Sequence, residues 1–496
     1  METYIVITSV LLLMSILASK VSDRFGIPSL LVFLMLGMLA GSEGVGGIYF
    51  DDHTLAQSVG VVALCLILFS SGLSTLWQSV RPVFVWGFVL STFGVVATAL
   101  VVALFAERVL GFTLKEGLLL GSIVSSTDAP AVFSILRSKG ISLKSPLKPL
   151  LELESGSNDP MAVLLTIGAI QLITQPDSSL MEGVKLFFLQ ISLGAAGGCV
   201  MGKAIPFLVN RIKLGYEGLY TVLTLALALF TYSFTNMLGG NGFLAVYLAG
   251  IIAGNSSLIH KRSLLHFHDG LSWLMQITMF ITLGLLVFPS HLPPVMGVSL
   301  LAAACLMFVA RPIAVFLSLI PSPFTIREKL FLSWVGLRGS APIILATFPL
   351  LAGIPQSDMI FNVVFFVVLA SVLFQGTSIQ TVAKWLGVDA PLQEERVHPI
   401  EINPDSGYKG ELSEFSIPEN SKMAGKKLVD LRLPAKCLIV LITRGNEYIL
   451  PSGATSLYAG DTLLVLADKD ASAQLASDLN ESQVFEAEQR DVSMGN

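Results

Sequence analysis

Long apolar runs separated by short polar connections fill most of the chain. They fall at 3–19, 27–41, 55–73, 82–105, 116–136, 149–173, 184–209, 217–238, 242–254, 271–289, 295–318, 328–351 and 358–383. A helix needs about 20 apolar residues to cross the hydrocarbon of a bilayer. Most of these thirteen runs reach or approach that length, whereas 27–41 and 242–254 fall short and are expected to be kinked, tilted or broken. Beyond residue 389 the pattern changes. A Pro- and charge-rich linker over 389–409 precedes short alternating stretches at 411–417, 437–443, 447–451 and 462–467, which read as strands. Arg444-Gly445-Asn446 suits a hairpin turn, and a short helix is expected over 471–479. The pattern predicts an all-α polytopic membrane protein of about 13 transmembrane helices over 1–388, then a small α/β cytoplasmic domain over 410–485 and a disordered tail over 486–496.

Composition supports that division. The chain is 53% hydrophobic and only 13% charged, with a mean hydropathy of +0.75. Soluble domains carry about a quarter charged residues. Residues 1–389 hold 20 Lys and Arg against 18 Asp and Glu, a net of +2, while the remainder holds 10 against 17, a net of −7. Cys65, Cys199, Cys305 and Cys437 have no paired spacing, which argues against a disulfide framework or a Cys-x-x-Cys metal site. The first run lacks a basic flank and a cleavage site, so it reads as a span rather than a removed signal.

Basic residues orient the runs. Alternate connections carry 14 Lys and Arg on one side, from Lys20 and Arg24 to Lys384, against Arg108, Lys115 and Lys185 on the other. The richer side is cytoplasmic by the positive-inside rule. The N-terminus is then outside and the C-terminal domain inside.

The chain repeats itself at a shift of 212 residues: Glu116 falls on Glu328, Leu118 on Leu330, Leu120 on Leu332, and Ala129-Pro130 on Ala341-Pro342. The matched segments are seven apart, an odd number, so the two copies are inverted in the membrane. Inverted repeats with interrupted helices belong to secondary transporters, with the site near the midplane.

Polar chemistry concentrates at three places within the apolar runs. Ser125-Ser126-Thr127-Asp128-Ala129-Pro130 interrupts segment 116–136, because Pro130 removes a backbone donor. Gly336-Leu337-Arg338-Gly339-Ser340-Ala341-Pro342 interrupts its counterpart. These read as two discontinuous helices that cross, with freed carbonyls able to face a cation. Arg338 keeps its proton and needs an acidic partner, for which Glu154 and Asp128 are the candidates. In 149–173, Glu152, Ser155 and Asp159 share one helical face, with Glu154 and Asn158 on the next; Pro160 suits the first turn of a helical segment. Ser155 and Asp159 offer two hard oxygen ligands one turn apart. A carboxylate in a low-dielectric setting binds either a proton or a cation, which is sufficient for exchange. Asn158 beside Asp159 leaves one titrating carboxylate at the pair, so one cation would replace one proton. Lys203 and Arg311 are expected to snorkel, and His260, His266 and His268 to lie in a solvated loop.

These motifs resemble the NhaP-type monovalent cation:proton antiporters, the electroneutral branch, across the whole membrane part. Phe267-His268-Asp269-Gly270-Leu271 and Leu283-Gly284-Leu285 resemble its potassium/proton members. The resemblance implies a thirteen-span homodimer in the bacterial inner membrane, with lipid around it and elevator-type alternating access. It implies that Asp159 binds the cation or proton, with Ser155 and Thr127 as co-ligands and Asn158 and Asp128 supporting the crossing. It also implies that Glu154 pairs with Arg338. One departure concerns Phe69-Ser70-Ser71-Gly72-Leu73, where family members often carry an acidic residue. The C-terminal strands resemble a TrkA-C domain, in Leu438-Ile439-Val440, Arg444-Gly445 and Ala459-Gly460-Asp461. That resemblance implies a regulatory domain with a small-molecule or nucleotide ligand; the Gly-x-Gly-x-x-Gly of a nucleotide-binding lobe is missing. The expectation is therefore a K⁺/H⁺ antiporter serving pH and K⁺ homeostasis, with a Na⁺(Li⁺)/H⁺ antiporter or a ligand-gated cation channel as alternatives. No Ser/His/Asp or metal-ligand set converges in the runs, which argues against an enzyme. No cofactor, no resident metal and no nucleic-acid partner is expected.

Overall fold

The computed structural model describes residues 2–25, 28–175, 180–392, 411–418, 421, 423–431, 433–434, 437–445 and 447–480. Most of the expected linker and the whole expected tail, 486–496, lie outside the described residues. The chain divides into two units, Met1–Glu394 and Glu395–Asn496.

The first unit is helical: α1 Glu2–Phe25, α2 Ser29–Ala40, α3 His53–Ser74, α4 Trp77–Leu110, α5 Leu114–Ile123, α6 Ala129–Ser138, α7 Leu147–Thr174, α8 Leu180–Arg211, α9 Glu217–Met237, α10 Gly242–Gly254, α11 Lys261–Leu286, α12 Pro289–Ser318, α13 Ile326–Trp334, α14 Ala341–Leu351 and α15 Ser357–Leu386. Seven helices among the described residues are long and apolar enough to cross a membrane. The apolar segments fall on helices, and segments 116–136 and 328–351 are each split in two, into α5–α6 and α13–α14. α7 runs through Pro160 rather than starting there. The Asn241 side chain donates to the Pro160 carbonyl at 2.9 Å, fixing the start of α10 against the middle of α7. α11 begins ten residues before the expected run at 271, at Lys261. Its first turns are amphipathic, which an apolar count does not register, and they bury Leu264, His268 and Ser272. His268 is therefore a core residue, with Nε2 2.9 Å from Thr224 Oγ1 and its ring edge-on to Phe69.

The internal repeat is visible in local chemistry. α5 opens on a capping box in which Glu116 accepts from the Thr113 amide at 2.9 Å, and α13 opens on the same box, Glu328 accepting from the Thr325 amide at 2.7 Å. The second helix of each broken pair carries a proline in its first turn, Pro130 and Pro342. Packing between the halves is exchanged. α2 lies on α11, with Gly37 against the Ile281 carbonyl and Gly284; α10 lies on α3, with Gly250 against the Phe69 carbonyl and Gly72. A Cβ on Gly37 would come within 2.4 Å of the Ile281 oxygen, so only glycine allows this approach.

Two three-residue strands were not anticipated. β1 Ile141–Leu143 pairs antiparallel with β2 Asp389–Pro391. Lys144 adds a bond from its amide to the Val388 carbonyl, 3.0 Å, and one from Nζ to the Gly387 carbonyl, 2.6 Å. Strands this short carry too little alternation to be read from sequence.

The second unit holds β3 Glu411–Ser416, β4 Cys437–Arg444, β5 Glu447–Ile449, β6 Thr462–Ala467 and α16 Lys469–Asn480, close to the expected bounds. The sheet is antiparallel in the order β3-β6-β4-β5. Ile439, Ile442, Leu463 and Val465 form its core with Leu475 of α16.

Candidate functional site

Both helix breaks meet in the first unit. The Asp128 amide donates to the Leu337 carbonyl at 2.8 Å, joining one break to the other. Arg338, only 1% exposed, donates from Nη1 to the carbonyls of Ser125, at 2.7 Å, and Ser126. Its own amide donates to Ser371 Oγ at 3.1 Å. The guanidinium lies just beyond the negative end of α5, where its charge is favourable, and its acceptors are carbonyls of the break itself. Gly339 lies directly on Asp128; a Cβ there would fall 2.0 Å from Oδ2. Asp128 caps α6, accepting from the Ala131 amide at 3.0 Å.

α7 supports the first break with two side chains. Ser155 Oγ donates to the Thr127 carbonyl at 2.9 Å and accepts from the Ala129 amide at 3.0 Å. Asn158 Nδ2 donates to Thr127 Oγ1 at 2.6 Å. The expected group of Thr127, Asp128, Ser155 and Asn158 is thus assembled, and much of its hydrogen-bonding capacity holds the break in shape. Polar groups in such a network need satisfied partners, because an unpaired one is costly away from water.

Glu154 and Arg338 are not paired. Glu154, 1% exposed, forms a bidentate pair with Arg311 of α12, Nη1–Oε1 2.5 Å and Nη2–Oε2 3.0 Å. Arg311 is buried rather than snorkelling, and it packs on the backbone of Gly336 beside the second break. The physical reason is geometric: the buried Glu154 carboxylate lies on the α12 side of α7, and the planar fork of a guanidinium matches a carboxylate there. Arg338 instead finds carbonyl dipoles. Lys203 is exposed, as expected. Glu152 is half-buried with Lys148 at 3.9 Å.

Asp159 faces a cavity of about 40 Å³. That is room for one to a few waters or an ion of similar size. One wall carries Asp159 and Ser155 of α7 with Ser126, Thr127, Asp128 and Ser340 of the two breaks. The facing wall carries Leu64, Ile67, Leu68 and Ser71 of α3 and Gln276 of α11. Asn158 does not line it. No basic side chain lines it, and Asp159 has no ion pair among the described residues. Ser71 belongs to the segment 69–73, which lacks the family's acidic residue, and Gln276 was not anticipated as a site residue. The signal for Gln276 was present: a single amide in the apolar stretch Leu271–Phe280.

In the second unit, Asp461 accepts from Arg444 Nε and Nη2, both at 2.9 Å, and from the Tyr458 amide at 2.8 Å. The Arg444 guanidinium also lies 4.3 Å from the Tyr458 ring centre. This fixes the turn before β6. Among the described residues, no group of three or more His, Cys, Asp and Glu is placed to hold a metal ion.

Residues 9–385 match the family described as sodium/hydrogen exchanger, transmembrane, and residues 412–480 match the TrkA-C domain. The chain is 41% identical to the K(+)/H(+) antiporter NhaP of Alkalimonas amylolytica, over 95% of this chain and 83% of that one. It is 41% identical to the K(+)/H(+) antiporter NhaP2 of Shewanella sp. (strain ANA-3), over 96% and 83%. The fold is similar to that of the sodium proton antiporter MjNhaP1 from Methanocaldococcus jannaschii, with a TM-score of 0.68 at 24% identity over 78% of this chain and 99% of that one. The chain belongs to the sodium/hydrogen exchanger family and carries a TrkA-C domain after its membrane part.

Proposed function

We propose that this protein exchanges K⁺ for H⁺ across the bacterial inner membrane, one for one, with Asp159 as the group both ions compete for. The observation that carries the reading is the setting of Asp159: it faces a small cavity with no basic side chain in its lining, while Glu154, five residues earlier on the same helix, is neutralised by Arg311. A bare carboxylate in a low-dielectric cavity is unfavourable. It is occupied by a proton or by a cation, and the two occupancies carry the same charge. Asp128 shares the cavity wall with Asp159 and caps α6 through the Ala131 amide; the one-for-one ratio requires that Asp128 keep a single charge state through the cycle while Asp159 exchanges its ion.

The proposed cycle follows from that charge equality. Protonated or cation-loaded, the wall formed by α7 and the two breaks is neutral and moves past α3 and α11, exposing the cavity to the other side. With Asp159 ionised and empty, that movement would carry an unpaired charge through the bilayer and is blocked. This is elevator-type alternating access, and a position of the cavity between the two walls supports it. The chain would span the membrane thirteen times as a homodimer, with its N-terminus outside and the 410–485 domain in the cytoplasm, where that domain regulates exchange on binding a small molecule or nucleotide. The K⁺ assignment is supported by the K(+)/H(+) antiporters at 41% identity.

The test is proton movement in liposomes containing the purified protein, followed with a pH dye after adding K⁺, Na⁺ or Li⁺. The expected result is K⁺-driven exchange whose rate does not change when the membrane potential is clamped with a different ionophore-carried ion. Exchange that follows the potential would contradict the one-for-one ratio. Cation current without proton movement would contradict the antiporter reading.

A further inference from the structure

The wall opposite Asp159 carries chemistry that the competition mechanism does not use. On α3, Ser71 lies one to two turns beyond Leu64 and Leu68 on the same face and is the hydroxyl among these cavity residues. On α11, Gln276 is an amide between Met275 and Ile277. Neither the Ser71 hydroxyl nor the Gln276 amide hydrogen-bonds to another described residue. Both are half-buried, and both line the space of about 40 Å³ that Asp159 faces, so their polar atoms are available to whatever occupies it. On the opposite wall, Ser155 Oγ and the carbonyls of Ser125, Ser126 and Thr127 are already engaged within the protein, beside the Asp128 carboxylate and the Ser126 and Ser340 side chains. A cation at Asp159 that sheds its water needs several oxygens around it, and the facing wall offers two neutral ones without a hydrogen-bond partner among the described residues.

We infer that Gln276 Oε1 and Ser71 Oγ complete the coordination of the transported cation, and that Gln276 sets which monovalent cation is preferred. This rests on the proposed binding of the cation at Asp159. The chemistry is that of hard oxygen ligands for an alkali cation. Both groups are neutral, so they add ligands without adding charge, and the equality between proton-loaded and cation-loaded sites is kept. An amide oxygen on a long, flexible side chain adjusts to a large cation more readily than a second carboxylate would. Because the two ligands sit on the wall that α7 moves past, they also release the cation as the walls separate.

The experiment is the liposome exchange assay with K⁺, Na⁺ and Li⁺ titrated separately on wild type and on Gln276→Ala, Gln276→Asn, Ser71→Ala and Asp159→Asn. Gln276→Ala is expected to raise the apparent KM for the preferred cation about tenfold, the scale of one lost polar contact. The maximum rate falls by less, and the ratio between cations changes. Gln276→Asn restores part of the affinity with an altered ratio, and Ser71→Ala gives a smaller rise in KM. If Gln276→Ala lowers only the maximum rate, or shifts the pH profile equally for every cation without changing their ratio, Gln276 is a structural residue or a hydrogen-bond donor to Asp159, and the inference is overturned. Asp159→Asn separates the two levels: if it still exchanges, the site itself is wrongly placed, whatever Gln276 does.

Discussion

Glu154 and Arg311, on helices α7 and α12, form a buried bidentate pair with N–O distances of 2.5 and 3.0 Å. Removing one partner of such a pair leaves a charge without compensation, at a cost of about 3–5 kcal/mol. Arg311→Leu and Glu154→Leu are each predicted to lower the melting temperature of the detergent-solubilised protein substantially. The double replacement is predicted to cost less than the sum of the two, because it leaves no unpaired charge. Additive losses would mean that the pair is not coupled. Arg338→Gln, in contrast, is predicted to act through the breaks, since its partners are carbonyls rather than Glu154.

Gly339 is predicted to be indispensable for a purely steric reason. A methyl group there would sit 2.0 Å from Asp128 Oδ2 and force the two breaks apart. Gly339→Ala should reduce exchange by more than tenfold while the protein still reaches the membrane. Gly297→Ala is the control, because the space beside Gly297 is open. Equal activity in the two variants, measured in vesicles at matched expression, would contradict the close approach.

The second unit gives a prediction in pH. Burial acts to raise the Asp461 carboxyl, but the Arg444 side chain and the Tyr458 amide outweigh it and hold it below the ordinary carboxylate range. The folded value lies below the unfolded one, so the unfolded state takes up the proton first as pH falls. The stabilisation is present above the ordinary carboxylate range, near pH 4 and upward, and is lost as pH falls through the folded value. Hydrogen–deuterium exchange of β4 and β6 in the full chain should therefore accelerate on acidification. Asp461→Asn should weaken the unit at neutral pH by about 1 kcal/mol, discounted because Arg444 is partly exposed, and flatten that acid dependence. Unchanged protection in Asp461→Asn would show that the turn is held by other contacts.

Much of this was legible from residues because long-range order in a membrane chain is written locally. Thirteen apolar runs, two proline breaks and the 212-residue repeat each depend on a few neighbouring positions, and the repeat returns in the paired Thr113/Glu116 and Thr325/Glu328 capping boxes. The tail strands were readable for the same reason, through their alternation. Partner choice was not legible. Glu154 has two arginines near enough to be candidates, and only the relative rotation of α7 and α12 decides for Arg311. Likewise His268 looked like part of a loop because the inward face of early α11 mixes Leu264, His268 and Ser272. Ser71 lay in the segment 69–73 that departs from the family pattern, but its place at the site and that of Gln276 were not legible, since what singles them out is the cavity they share with Asp159.

The central claim is that one carboxylate, Asp159, carries both ions. Its most direct measurement compares wild type and Asp159→Asn, purified and reconstituted, for cation-driven proton exchange and, separately, for binding of the cation by calorimetry at a pH where wild type binds. The predicted result is loss of both exchange and binding in Asp159→Asn, with the protein's melting temperature preserved. Exchange that persists in Asp159→Asn, or cation binding undiminished by the substitution, would contradict it.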